Sequence, residues 1–167
     1  MAVSKPSKSA KKRELLGLQA LGEQLVGLTE EQLRSMELDE NLFDAVTAAA
    51  RIKSRGAFRR QCQLIGRLMG NVDPEPIRRA LEVLQRQERT EKDIFRRAEE
   101  WRDRIVRDGQ QGLSEFFEVT GRQNGDLSSL SNEYNAASGD TARRALRRQI
   151  FRLVHAELAT VVQNCAG

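Results

Sequence analysis

The residues in this sequence most suited to binding chemistry are cations that have no acidic neighbours. Residues 45–72 contain six basic side chains and no carboxylate. They are Arg51, Lys53, Arg55, Arg59, Arg60 and Arg67. Surface helices usually interleave Glu with Lys or Arg, because opposite charges four residues apart are mildly stabilising and like charges are mildly unfavourable. Six uncompensated cations therefore predict that a polyanion such as a nucleic acid supplies the counter-charge.

These cations are predicted to lie on one side of a single amphipathic helix over residues 39–70. At about 100° per residue the other side is apolar, and only Ile52 intrudes among the cations. The apolar positions are Val46, Phe58, Cys62, Leu64, Ile65, Leu68 and Met69. Gly56 and Gly66 fall on the cationic side, where a missing side chain would allow close approach to the backbone. The alternative is that carboxylates of the acidic residues 14–44 fold against the cations.

Two further groups of cations point to the same chemistry. The last helix carries a stripe at i, i+4 and i+8, formed by Arg144, Arg148 and Arg152. The N-terminus is expected to be a flexible arm for non-specific phosphate contact, with Lys5, Lys8, Lys11, Lys12 and Arg13. No helix–turn–helix, zinc-finger or basic-zipper spacing is present. The sequence therefore favours RNA over DNA, recognised through its shape and phosphates.

The residues needed for catalysis or metal binding do not form a recognisable pattern. His155 is the only histidine, and no Cys or Ser is spaced to form a nucleophile pair with it. There is no Gly-rich phosphate loop and no paired-cysteine motif. Cys62 and Cys165 fit no metal spacing, and Cys62 is expected to be buried. We therefore expect no enzyme activity, no cofactor and no metal, and we expect His155 to be an exposed polar residue.

The amino-acid composition predicts that helices position these residues. Of the 167 residues 39% are hydrophobic but only 5% aromatic, and three are proline. A chain rich in Leu, Ala, Glu, Gln and Arg, without alternating β-branched runs, predicts an all-α fold. No stretch approaches the roughly 20 apolar residues that span a bilayer, and the N-terminus lacks the apolar segment of a secretory signal. These features predict a cytoplasmic protein with no membrane contact.

One long helix is predicted at the centre of the fold. Asp73-Pro74 is typical of a helix start, and no Gly or Pro follows until Gly109, so the helix is expected over about residues 75–108. A heptad seam runs along it, apolar at both ends and polar at Gln87 and Glu91. We predict a dumbbell of two small helical bundles that share this helix. The alternative is a break near residues 89–90 that gives two ordinary helices.

The remaining segments are shorter, and they complete the predicted domains. Residues 1–8 are the basic tail, 9–90 the N-terminal lobe and 91–167 the C-terminal lobe. Thr29 and Gln32 form a capping-box pattern, and Gly121 is expected to close a short helix. Residues 124–126 are predicted to be a loop. The last helix is expected to run from Asp140 to about Gln163.

Several segments resemble the DarP/YjgA-like ribosome-associated family. The most specific block runs from Ala50-Arg51-Ile52-Lys53 through Arg59-Arg60-Gln61-Cys62-Gln63-Leu64-Ile65-Gly66-Arg67-Leu68-Met69 to Asp73-Pro74-Glu75-Pro76-Ile77-Arg78. Trp101-Arg102-Asp103-Arg104, the Arg-rich last helix and Ser7-Lys8-Ser9 with Leu18-Gln19-Ala20-Leu21-Gly22 are also similar. The long acidic extension that some relatives carry before the first helix is not found here.

The resemblance implies an all-helical, dumbbell-like protein without catalytic residues. It would join the large ribosomal subunit during late assembly and contact 23S rRNA near the maturing peptidyl transferase centre. The partners would be the 50S subunit, its 23S rRNA and other assembly factors, and we expect a monomer. The rival hypothesis is a helical protein–protein adaptor whose basic face docks on an acidic partner.

Overall fold

The computed structural model describes residues 7–165, and within this range all regular structure is helical. The predicted all-α class is confirmed. Eight helices follow one another in the described part of the chain: α1 Lys8–Val26, α2 Glu30–Ser35, α3 Glu40–Ala50, α4 Arg55–Met69, α5 Pro74–Asp108, α6 Gln110–Thr120, α7 Gly125–Ala136 and α8 Asp140–Cys165. Residues 1–6 of the predicted basic tail lie outside the described residues, as do the side chains of Lys8, Lys11 and Cys165.

Side-chain caps explain where several of these helices begin. Thr29 and Gln32 form the predicted reciprocal capping box at the start of α2. Asp73 accepts a hydrogen bond of 3.0 Å from the backbone N–H of Glu75, where α5 starts with Pro74. Such caps satisfy amide donors that have no partner within the helix. These predicted helix starts are confirmed. They could be predicted because the residues that form each cap lie within a few positions of one another in the sequence.

Removing the cap of α3 is expected to lower the free energy of unfolding by about 1 kcal/mol. The Asp39 carboxylate accepts hydrogen bonds from the backbone N–H groups of Asn41 and Leu42, at 3.0 and 3.4 Å. Asp39→Ala leaves both donors without this partner. Urea unfolding followed by circular dichroism measures the loss. Asp44→Ala is the matched control, since Asp44 is an exposed carboxylate within the same helix; equal losses for both variants would contradict a capping role.

The single helix predicted over residues 39–70 is wrong. Helix α3 ends at Ala50, and α4 starts at Arg55 after the connection 51–54. The break lets Val46 of α3 and Ile65 of α4 join the same buried core, which a straight helix would hold roughly 28 Å apart at 1.5 Å per residue. The side chain of Gln61 donates a 2.9 Å hydrogen bond to the carbonyl of Ala45 across the two helices. Ile52 is therefore a half-buried residue of the connection and does not interrupt a cationic helix face.

The first compact unit covers Met1–Gln85, and its most extensive helix pairing joins α1 to α4. Gly22 of α1 faces Ile65 and Met69, and a methyl group at position 22 would overlap the Cγ2 methyl of Ile65. Gly66 of α4 faces α1 in turn, where an added Cβ would lie 3.0 Å from the Cβ of Gln19. The prediction that Gly66 lies on the cationic side is wrong, because this buried glycine allows close helix packing instead.

The second compact unit covers Arg86–Gly167 and has its own core. Phe116 of α6, Leu127 of α7 and Ile150 of α8 are fully buried there. The remaining buried members are Ile94, Ala98, Ile105, Leu113, Val154 and Leu158. Gly121 ends α6 in the left-handed conformation, as predicted. The predicted loop 124–126 is wrong, because Asn124 caps α7 through the backbone N–H of Leu127 and the helix starts at the next residue.

The long helix α5 is continuous over 35 residues, so the break considered near residues 89–90 is not found. Ile77 and Leu81 belong to the first core, whereas Ile94 and Ala98 belong to the second. Residues 85–89 between them are exposed. The contact boundary falls after Gln85, five residues before the predicted one. The dumbbell arrangement remains a prediction.

Candidate nucleic-acid interface

The first unit carries the α4 basic surface, which consists of Arg51, Lys53, Arg55, Arg59, Arg60 and Arg67. All six side chains are exposed. Arg51 is the C-cap residue that follows α3, Lys53 lies in the connection, and the other four lie on α4. The sequence predicted that all six cations lie on one face of a single helix, and this prediction is wrong. They combine the connection 51–54 with the solvent side of α4, whose other side buries Cys62, Ile65 and Met69.

No residue of the α4 basic surface forms an ion pair within the described chain, residues 7–165. The acidic segment before it is engaged elsewhere or faces solvent. Glu30 pairs with Arg34 at 2.6 Å. That guanidinium is the main reason why the pKa of Glu30 lies below its usual range, and Arg51 adds a weaker electrostatic contribution. Among the described residues, the carboxylates of residues 14–44 therefore form no ion pair with the α4 basic surface, and the alternative in which they neutralise it is not found.

The start of α4 strengthens the positive character of this surface. Ser54 precedes the helix but its side chain makes no capping hydrogen bond, and the first turn contains no acidic residue. The first turn instead begins with Arg55, although cations are unfavourable at the positive end of a helix dipole. Helix starts with free amide donors attract anions. Local helix stability therefore does not explain this choice of residues.

Cys62 is buried under the α4 basic surface, as predicted, with 2% of its surface exposed. Burial raises the pKa of its thiol, and the negative charge of Glu23 raises it further. A thiol held in its protonated form is a poor nucleophile and a poor metal ligand. Cys62 therefore acts as a small core residue that supports α4.

The second unit contains a groove between α5 and α8, which we call the arginine groove. Its volume is about 750 Å³. The lining residues are Phe95, Glu99 and Arg102 of α5 with Arg144, Arg147, Arg148, Phe151 and Arg152 of α8. Five of these eight residues are arginines and only one is acidic. All three members of the predicted α8 stripe line this groove.

The arginines of the groove fall into two groups. Arg102 and Arg147 both bind the carboxylate of Asp103, and Arg102 also lies 3.6 Å from Glu99. Arg102, followed by Arg147, holds the pKa of Asp103 below its usual range. Of these ion pairs, only the one between Arg147 and Asp103 joins α8 to α5. The three residues of the stripe, Arg144, Arg148 and Arg152, are exposed and form no ion pair with any residue of the described chain.

Two phenylalanines in the arginine groove were not predicted as site residues. Phe95 is 50% exposed, and its ring packs in a T-shaped arrangement with that of Phe151, with centroids 5.1 Å apart. The guanidinium of Arg102 lies 5.8 Å from the centroid of the Phe151 ring. The available sequence signal was the i, i+4, i+7 spacing of Phe95, Glu99 and Arg102, which places an aromatic residue beside a cation on one helix face. Pairing of that face with α8 could not be inferred from spacing.

His155 belongs to the same aromatic cluster and is not the exposed residue that the sequence predicted. Its side chain is 26% exposed, and its ring lies 5.8 Å from that of Phe151. Its Nε2 atom is 3.6 Å from a carboxylate oxygen of Glu91. Packing of α8 on α5 accounts for the burial, because His155 lies one turn beyond Phe151 on the side that faces α5.

The predicted N-terminal arm is corrected in part. Lys12 and Arg13 lie within helix α1 and are exposed, so they are not part of a flexible segment. The side chain of Lys11 lies outside the described set.

Among the side chains that the structure describes, no three His, Cys, Asp or Glu residues are grouped so as to hold a metal ion. Within residues 7–165, no helix has the length and apolar character needed to cross a membrane.

Comparison with known proteins identifies relatives that match most of this chain. Residues 4–155 match the family described as "Dual-action ribosomal maturation protein DarP". The protein of that name from Thiobacillus denitrificans is 38% identical over 152 residues, which cover 89% of this chain and 85% of the relative. Those from Idiomarina loihiensis and Methylobacillus flagellatus are 44% and 46% identical over 67% and 66% of this chain. The matched segments span 66% and 61% of these two relatives.

Proposed function

The chain belongs to the DarP family of dual-action ribosomal maturation proteins, and from this premise we propose that it assists ribosome maturation by binding 23S rRNA without catalysing a reaction. The proposed target is the precursor of the large (50S) subunit, late in its assembly and near the peptidyl transferase centre. We propose that the protein acts in the cytoplasm as a monomer, in company with other assembly factors.

The observation that carries this proposal is the α4 basic surface. Six exposed cations without an ion-pair partner in the described chain provide charge that the protein itself does not neutralise. Each contact between such a cation and an rRNA phosphate releases condensed counterions, which favours binding without any need for base recognition. Arginine is the main cation here, and its planar guanidinium can donate two hydrogen bonds to one phosphate.

The second unit supplies a separate contact to RNA through Arg144, Arg148 and Arg152. A molecule with a basic surface in each unit can bind two rRNA elements at once, and the second contact gains from the high effective concentration that the first one creates. Binding of this kind favours one arrangement of the bound rRNA elements over others. The proposed role therefore requires positioning of rRNA and no reacting group. Lys11, Lys12 and Arg13 are proposed to add non-specific phosphate contacts.

Sedimentation of a cell lysate through sucrose gradients tests this function. We expect the protein to migrate with large-subunit particles at low salt and to be released at high salt. For six phosphate contacts the logarithm of the affinity should fall with a slope of about −4 to −5 against the logarithm of the salt concentration. Raising salt from about 50 to about 200 mM should then weaken binding roughly a thousandfold.

A nuclease-treated lysate is the control for the sedimentation experiment. Digestion of rRNA should release the protein even at low salt. A protein that stays at the top of the gradient at low salt would contradict ribosome binding. Retention in a complex with an acidic protein after digestion would instead favour the adaptor hypothesis.

A further inference from the structure

We propose that the arginine groove binds a single unpaired RNA nucleotide, with its base stacked on Phe95 and its flanking phosphates bound by Arg144, Arg148 and Arg152. This inference rests on the proposed rRNA-binding function. It adds a specific ligand class, an unstacked base, to a surface that charge alone would describe only as phosphate-binding. It also assigns a binding role to Phe95, which is not a basic residue.

The position of the Phe95 ring suits it to stacking. Half of its surface is exposed, although the preceding residue, Ile94, is buried in the core. The ring packs against Phe151, with centroids 5.1 Å apart and planes inclined at 64°, and against the neighbouring His155, with centroids 6.4 Å apart. An exposed aromatic ring held by its neighbours loses little conformational freedom when a ligand stacks on it. Phe95 is therefore arranged for stacking.

The charge around that ring suits it to a nucleotide. The groove is lined by five arginines and one glutamate, and Arg102 and Arg147 are occupied by Asp103. The three arginines of the α8 stripe remain available for an anionic ligand. Sites for single-stranded nucleic acid combine aromatic rings, on which bases stack, with cations that follow the phosphate backbone. An acidic peptide would use the cations but would gain little from an exposed phenylalanine.

The size of the groove also fits a nucleotide. Its volume of about 750 Å³ falls in the range of roughly 300–1,000 Å³ that holds small organic ligands, so it admits a nucleotide. The bases of an A-form duplex are already stacked and paired, and their faces are not available to a protein ring. The base that reaches Phe95 must therefore come from a loop, a bulge or a single strand.

Binding of the full-length protein to a single-stranded oligoribonucleotide that contains 2-aminopurine tests the proposal. The same sequence within a base-paired hairpin stem serves as the duplex probe. For the wild type we expect the 2-aminopurine fluorescence to change on binding of the single strand but not of the duplex. Phe95→Leu keeps the apolar volume but removes the ring, and it should weaken single-strand binding about tenfold. Phe95→Tyr keeps the ring and should bind within about twofold of the wild type.

Salt dependence separates stacking from charge. Phe95→Leu should leave the salt slope of single-strand binding unchanged, whereas Arg148→Ala should reduce it by about 0.7. Val119→Ala is the control variant, because Val119 is a 56% exposed apolar residue of the second unit that does not line the groove. Its affinity and fluorescence change should match those of the wild type.

Two results would overturn the inference, and a third would also overturn the proposed rRNA-binding function on which it rests. If Phe95→Leu binds the single strand as tightly as Phe95→Tyr does, the base does not stack on this ring, although sedimentation with large-subunit particles would still support rRNA binding. If a poly-glutamate peptide displaces the oligonucleotide and is itself weakened tenfold by Phe95→Leu, the groove is a protein-binding site. If the wild type binds neither the oligonucleotide nor the particles, both proposals fail.

Discussion

Replacing Arg59, Arg60 and Arg67 with glutamate is expected to weaken binding to large-subunit particles by at least about a thousandfold. Each charge-assisted hydrogen bond contributes roughly 1.5–3 kcal/mol, so the loss of three alone accounts for this factor. The introduced carboxylates would also repel the phosphates. All three side chains are exposed and pair with no described residue, so the fold should be retained. Filter binding to 23S rRNA and sedimentation with particles measure the effect, and circular dichroism checks the helix content.

The matched control reverses three arginines elsewhere by the same total charge. Arg79, Arg86 and Arg89 are exposed on α5 and lie outside both proposed RNA-binding surfaces. Their replacement with glutamate should cost much less affinity, since only the long-range potential changes and salt screens it within roughly 10 Å. An equal loss for both variants would mean that net charge, and not the α4 basic surface, determines binding. Unchanged binding of the first variant would rule out this surface as the contact.

Gly22→Leu is expected to lower the free energy of unfolding of the first unit by about 3 kcal/mol. Position 22 faces Ile65 and Met69, which are both fully buried. A leucine there must push α1 away from α4 or force strained side-chain rotamers. Urea unfolding measures the loss. Since α4 carries the basic surface, the same variant should also bind rRNA less tightly when the first unit is partly unfolded.

Gly17→Leu is the control in the same helix. Apart from its chain neighbours and the backbone of α1 itself, no atom of the described residues lies within 4 Å of a Cβ at this position. Leucine is a better helix former than glycine by about 0.8 kcal/mol, so this variant should be slightly more stable than the wild type. Destabilisation by Gly17→Leu as large as that by Gly22→Leu would show that the crossing of α1 and α4 is not closely packed in solution.

The sequence predicted those features whose signals are local. Thr29 with Gln32 and Asp73 with Pro74 fix helix starts through contacts within three residues, and the heptad seam of α5 follows from its spacing. The break at residues 51–54 was missed because Ser54 and Gly56 are only weak signals of helix ends. What decides the break is the gain from burying Val46 and Ile65 in one core, which no local window contains.

The candidate sites divide in the same way. The cations of the α4 basic surface could be found from the sequence, because the absence of carboxylates is a matter of composition. The arginine groove could not be found, since Phe95 and Arg148 are brought together only when α8 packs on α5. Gly66 was misplaced for a related reason: a helix wheel assigns directions but does not say which direction a neighbouring helix occupies.

The exposed middle of α5 has a consequence for cooperativity. Residues 85–89 contribute to neither core, and a helical segment of that length has little stability in water by itself. Loss of one core is therefore not expected to melt the other, and unfolding should proceed as two separate transitions. A mutation that unfolds the first unit would then leave the arginine groove intact. Such a variant would lose the RNA contacts of the first unit but keep those of the arginine groove.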